Sequence, residues 1–209
     1  MVRKAGRWLN PVTLTLAVLC FVLPFVSVSC DTPGGYAGAD VGGTSSYNGV
    51  ALVVGGEPEV DEAHRRPVPP EEDDRLPPQA ALAGALLAIL AAAVGSVTIG
   101  HKRTRRAAVA VLALAAGTAL LVGQVLALAE LRVRVSDHLT RVAQSGQQLD
   151  PAKNADDYVH TGPGFLLCLT LLVVVAIVNG IGWWRLRPAP ALVAHGPSGA
   201  TDPWARAPG

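Results

Sequence analysis

The residues able to do acid–base or metal chemistry are few and dispersed in this sequence. His160 lies close to Asp156 and Asp157, a spacing that could form a small acid–base patch in a loop. The acidic run at 71–74 lacks the alternating ligands and the turn glycine of a calcium loop. A loop histidine beside aspartates is usually only solvated. We therefore expect no catalytic residue, no metal site and no cofactor, and we interpret the protein as not an enzyme.

The three cysteines exclude a disulfide-rich scaffold. Cys20 falls in the middle of an apolar block, where a thiol is expected to pack as a small hydrophobic side chain. Cys30 and Cys168 fall near the ends of two apolar blocks that face the same side. A disulfide between Cys30 and Cys168 is one alternative, and two separate thiols are the other.

The elements that must position these residues follow from composition. Of the 209 residues, 50% are hydrophobic and only 16% are charged, against about 25% charged in an ordinary soluble domain. The charges lie between four blocks that contain none, each near the ~20 residues that cross a bilayer as a helix. These blocks predict an all-α membrane protein, a four-transmembrane-helix bundle with helices at 8–29, 80–100, 107–129 and 164–184.

The distribution of Lys and Arg predicts the orientation. The segments 1–7, 101–106 and 185–209 together carry a net charge of +9, whereas the loops 30–79 and 130–163 carry −7 and −1. Because basic loops stay in the cytoplasm, we expect a plasma-membrane protein with both termini cytoplasmic and both larger loops extracytoplasmic. Three tryptophans fall at the expected inner interface: Trp8, Trp183 and Trp184.

The first block has a second interpretation as a cleaved signal. A basic start, an apolar stretch and the small residues Ser27 and Ser29 before Cys30 are typical of a secretory or lipoprotein signal. A lipoprotein signal, however, has an aliphatic residue where Ser27 stands, and the apolar stretch is long for a signal. We expect the block to be retained as a helix; cleavage would leave three spans.

The first extracytoplasmic loop, 30–79, has two compositions. Its first part is rich in glycine, and the dipeptide Asn48-Gly49 before the β-prone residues 50–54 predicts a small β-hairpin packed on the helix ends. No glycine spacing typical of a phosphate-binding loop is present. From residue 57 onwards prolines and acidic residues predict an extended linker.

The second extracytoplasmic loop, 130–163, begins as a continuation of the third helix. Apolar residues at helical spacing predict an amphipathic extension that ends at 144–146. The tail at 185–209 is rich in Pro, Ala and Gly and is expected to be disordered. The apolar face of the extension consists of Leu128, Leu131, Val135, Leu139 and Val142.

Inside the four blocks the amides Gln124 and Asn179 are the notable polar groups. They fall at opposite ends of antiparallel helices, so we expect each to bond backbone or another helix as structural glue; a permeation site is the alternative. Pro24 predicts a kink in the first helix. Small residues recurring every four positions predict close packing of the second and third helices, at Gly84, Ala88, Ala92, Ala119 and Gly123.

The residues 22–30 read VLPFVSVSC and are followed by Tyr47, Gly49, Leu52 and Gly55 at fixed spacing. This run resembles small multi-span membrane proteins of actinobacteria whose function is not assigned. The resemblance covers the first helix and the first half of its loop, and it implies a bacterial plasma-membrane location. It implies no catalytic or binding residue. A preference for Arg over Lys is consistent with a high-GC genome.

These observations favour a non-enzymatic protein that acts through its extracytoplasmic loops or through a membrane partner. The alternative is a small transporter or channel subunit in which Gln124, Asn179 and a Pro24 kink contribute to a path. The expected partners are the lipid bilayer and another membrane protein. Near-neutral charge gives no reason to expect nucleic acid, and the sequence identifies no small-molecule substrate.

Overall fold

A computed structural model of the chain describes residues 2–29, 35–65, 75–146 and 154–186, with side chains from residue 10 onwards. It is mostly helical, with three long apolar helices and a small antiparallel sheet. The helices are α1 Val2–Leu19, α2 Gly49–Val54, α3 Ala80–Thr98, α4 Lys102–Gln144, α5 Ala155–Tyr158 and α6 Pro163–Arg185. The strands are β1 Pro24–Ser29, β2 Thr44–Asn48, β3 Glu59–Val60 and β4 Val159–Thr161.

The long helices pack side by side. A short connection at 99–101 joins α3 to α4, so these two helices lie antiparallel along each other, and α6 packs on the other flank of α4. The helix α1 contacts both α3 and α6. The predicted basic loop at 101–106 is therefore mostly the first turn of α4. The shared interior is apolar and includes Leu14, Ala17, Leu82, Ile89, Ala116, Leu120, Leu172 and Val175.

The prediction of one helix over 8–29 is wrong in its second half. The helix α1 ends at Leu19, a 3-10 turn covers Cys20–Val22, and the chain is then extended as β1. Leu23 adopts an extended conformation (ψ 158°) because a residue before proline is disfavoured in the helical region. Pro24 therefore does not kink a helix; it opens a strand.

The strand β1 lies inside a four-stranded antiparallel sheet with the order β3-β2-β1-β4. Ser27 is opposite Ser46 on one side and His160 on the other. Burial alternates along the strand as expected for β structure: Val26 and Val28 are buried, whereas Ser27 between them is half-buried. The sheet thus joins the end of the first apolar block to both of the predicted extracytoplasmic loops.

The predicted hairpin at Asn48-Gly49 is wrong. The Asn48 side chain caps α2 and accepts a hydrogen bond from Ala51 N at 2.7 Å, and Gly55 ends the helix at a φ of +78°. An asparagine before a segment and a left-handed glycine after it are both helix-end signals. They outweigh the β propensity of the valines in between. A β structure is present in this region, but it pairs 44–48 with 24–29 and 59–60.

The amphipathic extension of the third helix is confirmed. The helix α4 runs for 43 residues, about 65 Å, or twice the ~30 Å thickness of a hydrocarbon core. It ends at Gln144 with Ser145 as its C-cap, within the predicted range 144–146. On the expected apolar face Leu131, Val135 and Val142 are buried, and Leu128 and Leu139 pack partly buried against the core.

Three predicted features lie wholly or partly outside the described residues. They are Cys30, the proline-rich and acidic run at 66–74, and the tail from residue 187 onwards.

Candidate functional site

The molecule divides into two regions with different surfaces. The helical region comprises 10–22, 80–98, 102–129 and 163–185. The sheet region comprises 24–29, 35–65, 75–79, 130–146 and 154–162. One continuous apolar core runs through both regions.

The outward faces of the helical region are apolar. Leu87 and Val97 of α3, Val125 of α4 and Trp184 of α6 are each more than 60% exposed. Such a continuous apolar surface is unusual on a protein in water, whereas it is required of a surface in contact with lipid. Three helices, α3, α4 and α6, are long and apolar enough to cross a membrane, and a shorter apolar helix covers Asn10–Val22.

The two buried amides of the helical region have separate partners, as the sequence predicted. Gln124 Nε2 donates to Phe25 O at 3.2 Å. Asn179 Nδ2 donates to Val175 O at 2.8 Å. Asn179 also exchanges two hydrogen bonds with Asn10 of α1, at 2.8 and 3.1 Å. Sequence reasoning missed Asn10, although an amide inside an apolar block was a usable signal.

Two polar contacts mark the ends of the helical region. At one end Arg106 Nη1 donates to Gly182 O at 2.9 Å, which ties the start of α4 to the end of α6. At the other end Gln124 contacts Phe25 at the start of the sheet. Arg106 and Gln124 are separated by about 27 Å along α4. This spacing matches the hydrocarbon thickness of a bilayer.

The predicted small-residue contacts are correct in part. A Cβ added at Gly123 would lie 2.6 Å from Leu82 Cγ, so this glycine allows α3 and α4 to approach closely. Ala92 is buried, and Ala88 and Ala119 pack partly buried against the core. The predicted contact at Gly84 is wrong, because this glycine is exposed with open space around it. A four-residue spacing drifts around a helix of 3.6 residues per turn, so the row cannot keep facing one neighbour.

The cysteines described by the structure are buried free thiols. Cys168 Sγ lies 3.5 Å from Ala17 O on α1, so this cysteine contributes to the α1–α6 contact. Cys20 packs in the core, as predicted. Cys30 lies outside the described residues, and its pairing with Cys168 stays a prediction.

The sheet region is built against the projecting end of α4. Arg132 Nε pairs with Asp156 Oδ1 at 2.6 Å, and Arg134 Nη1 donates to Arg75 O at 3.0 Å. The rings of Tyr36 and His138 meet edge to face with centroids 5.5 Å apart. These contacts connect α4 to segments from both predicted extracytoplasmic loops.

The acid–base residues considered above do not converge on one site. Asp156 pairs with Arg132, whereas Asp157 Oδ2 accepts from Asn154 N at 2.8 Å and closes a capping box on α5. His160 is exposed on β4. Among the residues that the structure describes, no group of three or more His, Cys, Asp or Glu side chains could hold a metal ion.

Comparison with known proteins gives no relative. No family model, no curated protein and no solved structure matches the chain. The geometry of the two regions is therefore the basis for any statement of function.

Proposed function

We propose that this protein is a non-enzymatic, four-helix integral membrane protein of the plasma membrane whose extracytoplasmic sheet region binds another protein. The observation that carries the proposal is the sheet itself. It combines strands from residues 24–29, 44–48, 59–60 and 159–161 and is supported by a helix that projects beyond the helical region.

We infer that α1 is the fourth span and is retained. Leu14 and Ala17 are fully buried in the helical region, and Asn10 pairs with Asn179 on α6. The segment that follows α1 supplies β1, which has a neighbouring strand on each side. Cleavage before Cys30 would remove both the helix and this inner strand. These contacts favour retention over processing as a signal.

The charges support the proposed orientation. The start of α4 and the end of α6 carry exposed basic residues, among them Lys102, Arg103 and Arg185, and lie at one end of the helical region. The sheet region lies at the other end and carries exposed Asp and Glu. Because basic segments are retained in the cytoplasm, these charges favour an extracytoplasmic sheet region.

The interior of the helical region argues against the transporter alternative. Buried Leu, Ile, Val and Ala side chains fill the space between the described helices. Gln124 and Asn179 lie at opposite ends of this interior and bond to protein atoms. A permeation path would need polar groups aligned along one cavity, and these amides are not aligned.

The chemistry of the contact surface follows from its charge. Glu59 of β3 and the adjacent Asp61 and Glu62 are exposed on one edge of the sheet region. A partner with a basic surface complements this edge, and the association should weaken as salt is raised.

Co-purification in mild detergent tests the proposal. We expect one partner to be recovered in a fixed ratio with the wild-type protein and to be lost from a Glu59→Gln/Asp61→Asn/Glu62→Gln variant. A Lys102→Gln/Arg103→Gln variant, which removes two charges at the opposite end, is the matched control and should keep the partner. Equal recovery with both variants, or recovery of no stoichiometric partner, would contradict the proposal.

Cysteine labelling tests the orientation. In a background without the native cysteines, Thr161→Cys on β4 should react with an impermeant maleimide added to intact cells. Thr104→Cys, exposed near the start of α4, should react only after the membrane is opened. Labelling of residue 104 from outside would overturn the orientation.

A further inference from the structure

The short helix α2 has an apolar surface that its packing leaves uncovered. All six of its residues are apolar, reading GVALVV. Leu52 is fully buried, whereas Val50 is 44% and Val54 is 65% exposed. Val50 and Val54 are four residues apart and so share one face. A helix that is apolar on every side is expected inside a core or inside lipid, and α2 is on the surface.

The position of α2 identifies what lies against this face. The helix sits where the helical and sheet regions meet. Gln79 N, just before α3, donates to Leu52 O at 2.8 Å. Gly49 lies against Phe21 of the turn that follows α1. The helix therefore lies at the level where α1 ends and the candidate span α3 begins.

The apolar surface around α2 continues into the helical region. Val22, in the turn that contacts α2, is 63% exposed, and Leu19 of α1 is 56% exposed. The chain carries no charged residue between Asp40 and Glu57, an interval that contains all of α2. The charged residues of the sheet region thus flank α2 without entering it.

We propose that α2 is an interfacial helix whose Val50–Val54 face inserts into the outer leaflet of the membrane. The lipid acyl chains are its partner, because the face is apolar, uncharged and continuous with the surface of the spans. In this role α2 anchors the sheet region to the bilayer in addition to the connections through the helices themselves. The proposal rests on the membrane placement given above.

Spin labels provide the test. Single cysteines replace Val50, Val54, Val41 and Val174 in a protein without native cysteines, reconstituted in vesicles of phosphatidylcholine and phosphatidylglycerol. All four are exposed valines; Val41 lies in a turn of the sheet region and Val174 on the outward face of α6. We expect collision with oxygen to exceed collision with a water-soluble nickel chelate several-fold at 50, 54 and 174, and the reverse at 41.

The outcomes separate the two proposals. Water-like behaviour at 50 and 54 with lipid-like behaviour at 174 would overturn the role of α2 and leave membrane insertion intact. Low collision rates with both reagents at 50 and 54 would indicate a protein cover, such as a second copy, and would also overturn it. Water-like behaviour at 174 would overturn the membrane placement itself.

A second measurement uses the unmodified chain. A phospholipid with a photoactivatable group in its acyl chain should form adducts on residues 50–54 and on α6, and none on the turn at 40–43. Absence of adducts on α2 beside adducts on α6 would contradict the proposal independently of any cysteine variant.

Discussion

The helical and sheet regions place their polar and apolar groups in opposite ways. In the helical region the outward side chains are apolar and the few polar groups bond inwards, as Asn10 and Asn179 do. In the sheet region the outward side chains are mostly polar or charged, and aromatic residues such as Tyr36 and Tyr47 are buried. Such a reversal is expected of a chain that lies partly in lipid and partly in water, as the proposed membrane placement requires.

The helix α4 contains both patterns on a single element. Before residue 130 its exposed side chains include Val111, Leu121 and Val125. After residue 130 the exposed positions include Arg132, Asp137, Thr140 and Arg141. Secondary structure does not change across this boundary, which coincides with the end proposed for the membrane-spanning part of α4.

A charge placed on either side of the boundary distinguishes the two regions most strongly. Leu114→Asp replaces an exposed apolar residue near the middle of the helical part of α4. It should reduce the yield of inserted, folded protein with a cost of about 3 kcal/mol, because a carboxylate in hydrocarbon is poorly solvated. Thr140→Asp, on the exposed face of the same helix, should change stability by less than about 0.5 kcal/mol. Thermal unfolding in lipid nanodiscs measures both. Equal tolerance of the two changes would place Leu114 in water.

Added volume tests the packing between α3 and α4. Gly123→Val inserts a side chain against Leu82 and should destabilise the protein by about 2 kcal/mol, since well-packed interiors tolerate extra volume poorly. Gly84→Val is the matched control on α3, where the added side chain meets open space. The melting temperature should be clearly lower for Gly123→Val than for Gly84→Val. A neutral Gly123→Val would show that the helices are further apart than described.

The paired amides test the contact between α1 and α6. Asn10→Leu or Asn179→Leu alone should cost about 1 kcal/mol, because each leaves an amide in apolar surroundings without its partner. The double variant should recover part of that loss. A double-mutant cycle in detergent or nanodiscs measures the coupling. Strict additivity of the two single changes would contradict the pairing.

The smallest effect is expected on the surface of the sheet region. Arg132 and Asp156 form an exposed ion pair at 2.6 Å. Arg132→Gln should cost less than about 1 kcal/mol, and the loss should shrink as salt is raised, since exposed pairs are weak and screened. The free energy of unfolding of the variant and the wild type, measured at low and at high salt, gives this loss. A loss as large as that of Gly123→Val would mean that the pair is shielded from water, which would contradict the difference between the two regions.

The candidate spans were predictable from the sequence because hydrocarbon excludes charge, and charge-free blocks are visible without any structure. The extension of α4 was also predictable, since its apolar residues keep helical spacing beyond the last uncharged block. The sheet was not. Hydropathy cannot separate a buried strand from a helix, so residues 24–29 were merged with the helix before them, although Pro24 was a local sign of the change. The pairing of Ser27 with His160 joins distant segments, and no local pattern reports such a contact.

The candidate contact surfaces were predicted less completely. The sequence identified Gln124 and Asn179 as polar groups that do not meet, but their partners Phe25 O and Asn10 depend on the arrangement of the helices. The row of small residues was expected to drift around the helix so that only part of it faces one neighbour, and Gly84 lies in the part that faces away. Residues 50–54 were predicted to form a strand because valine is β-prone. The helix-end signals that decide the outcome are Asn48 before them and Gly55 after them.

The position of β1 inside the sheet has a consequence for biosynthesis. Its neighbours β2 and β4 are made at very different times, because β2 follows shortly whereas β4 comes more than 100 residues later. At roughly 5–20 residues per second, translation reaches β4 about 7 to 26 s after β1. In the proposed orientation, one edge of β1 stays unpaired during that interval. The sheet is then complete only after the segment between α4 and α6 has crossed the membrane.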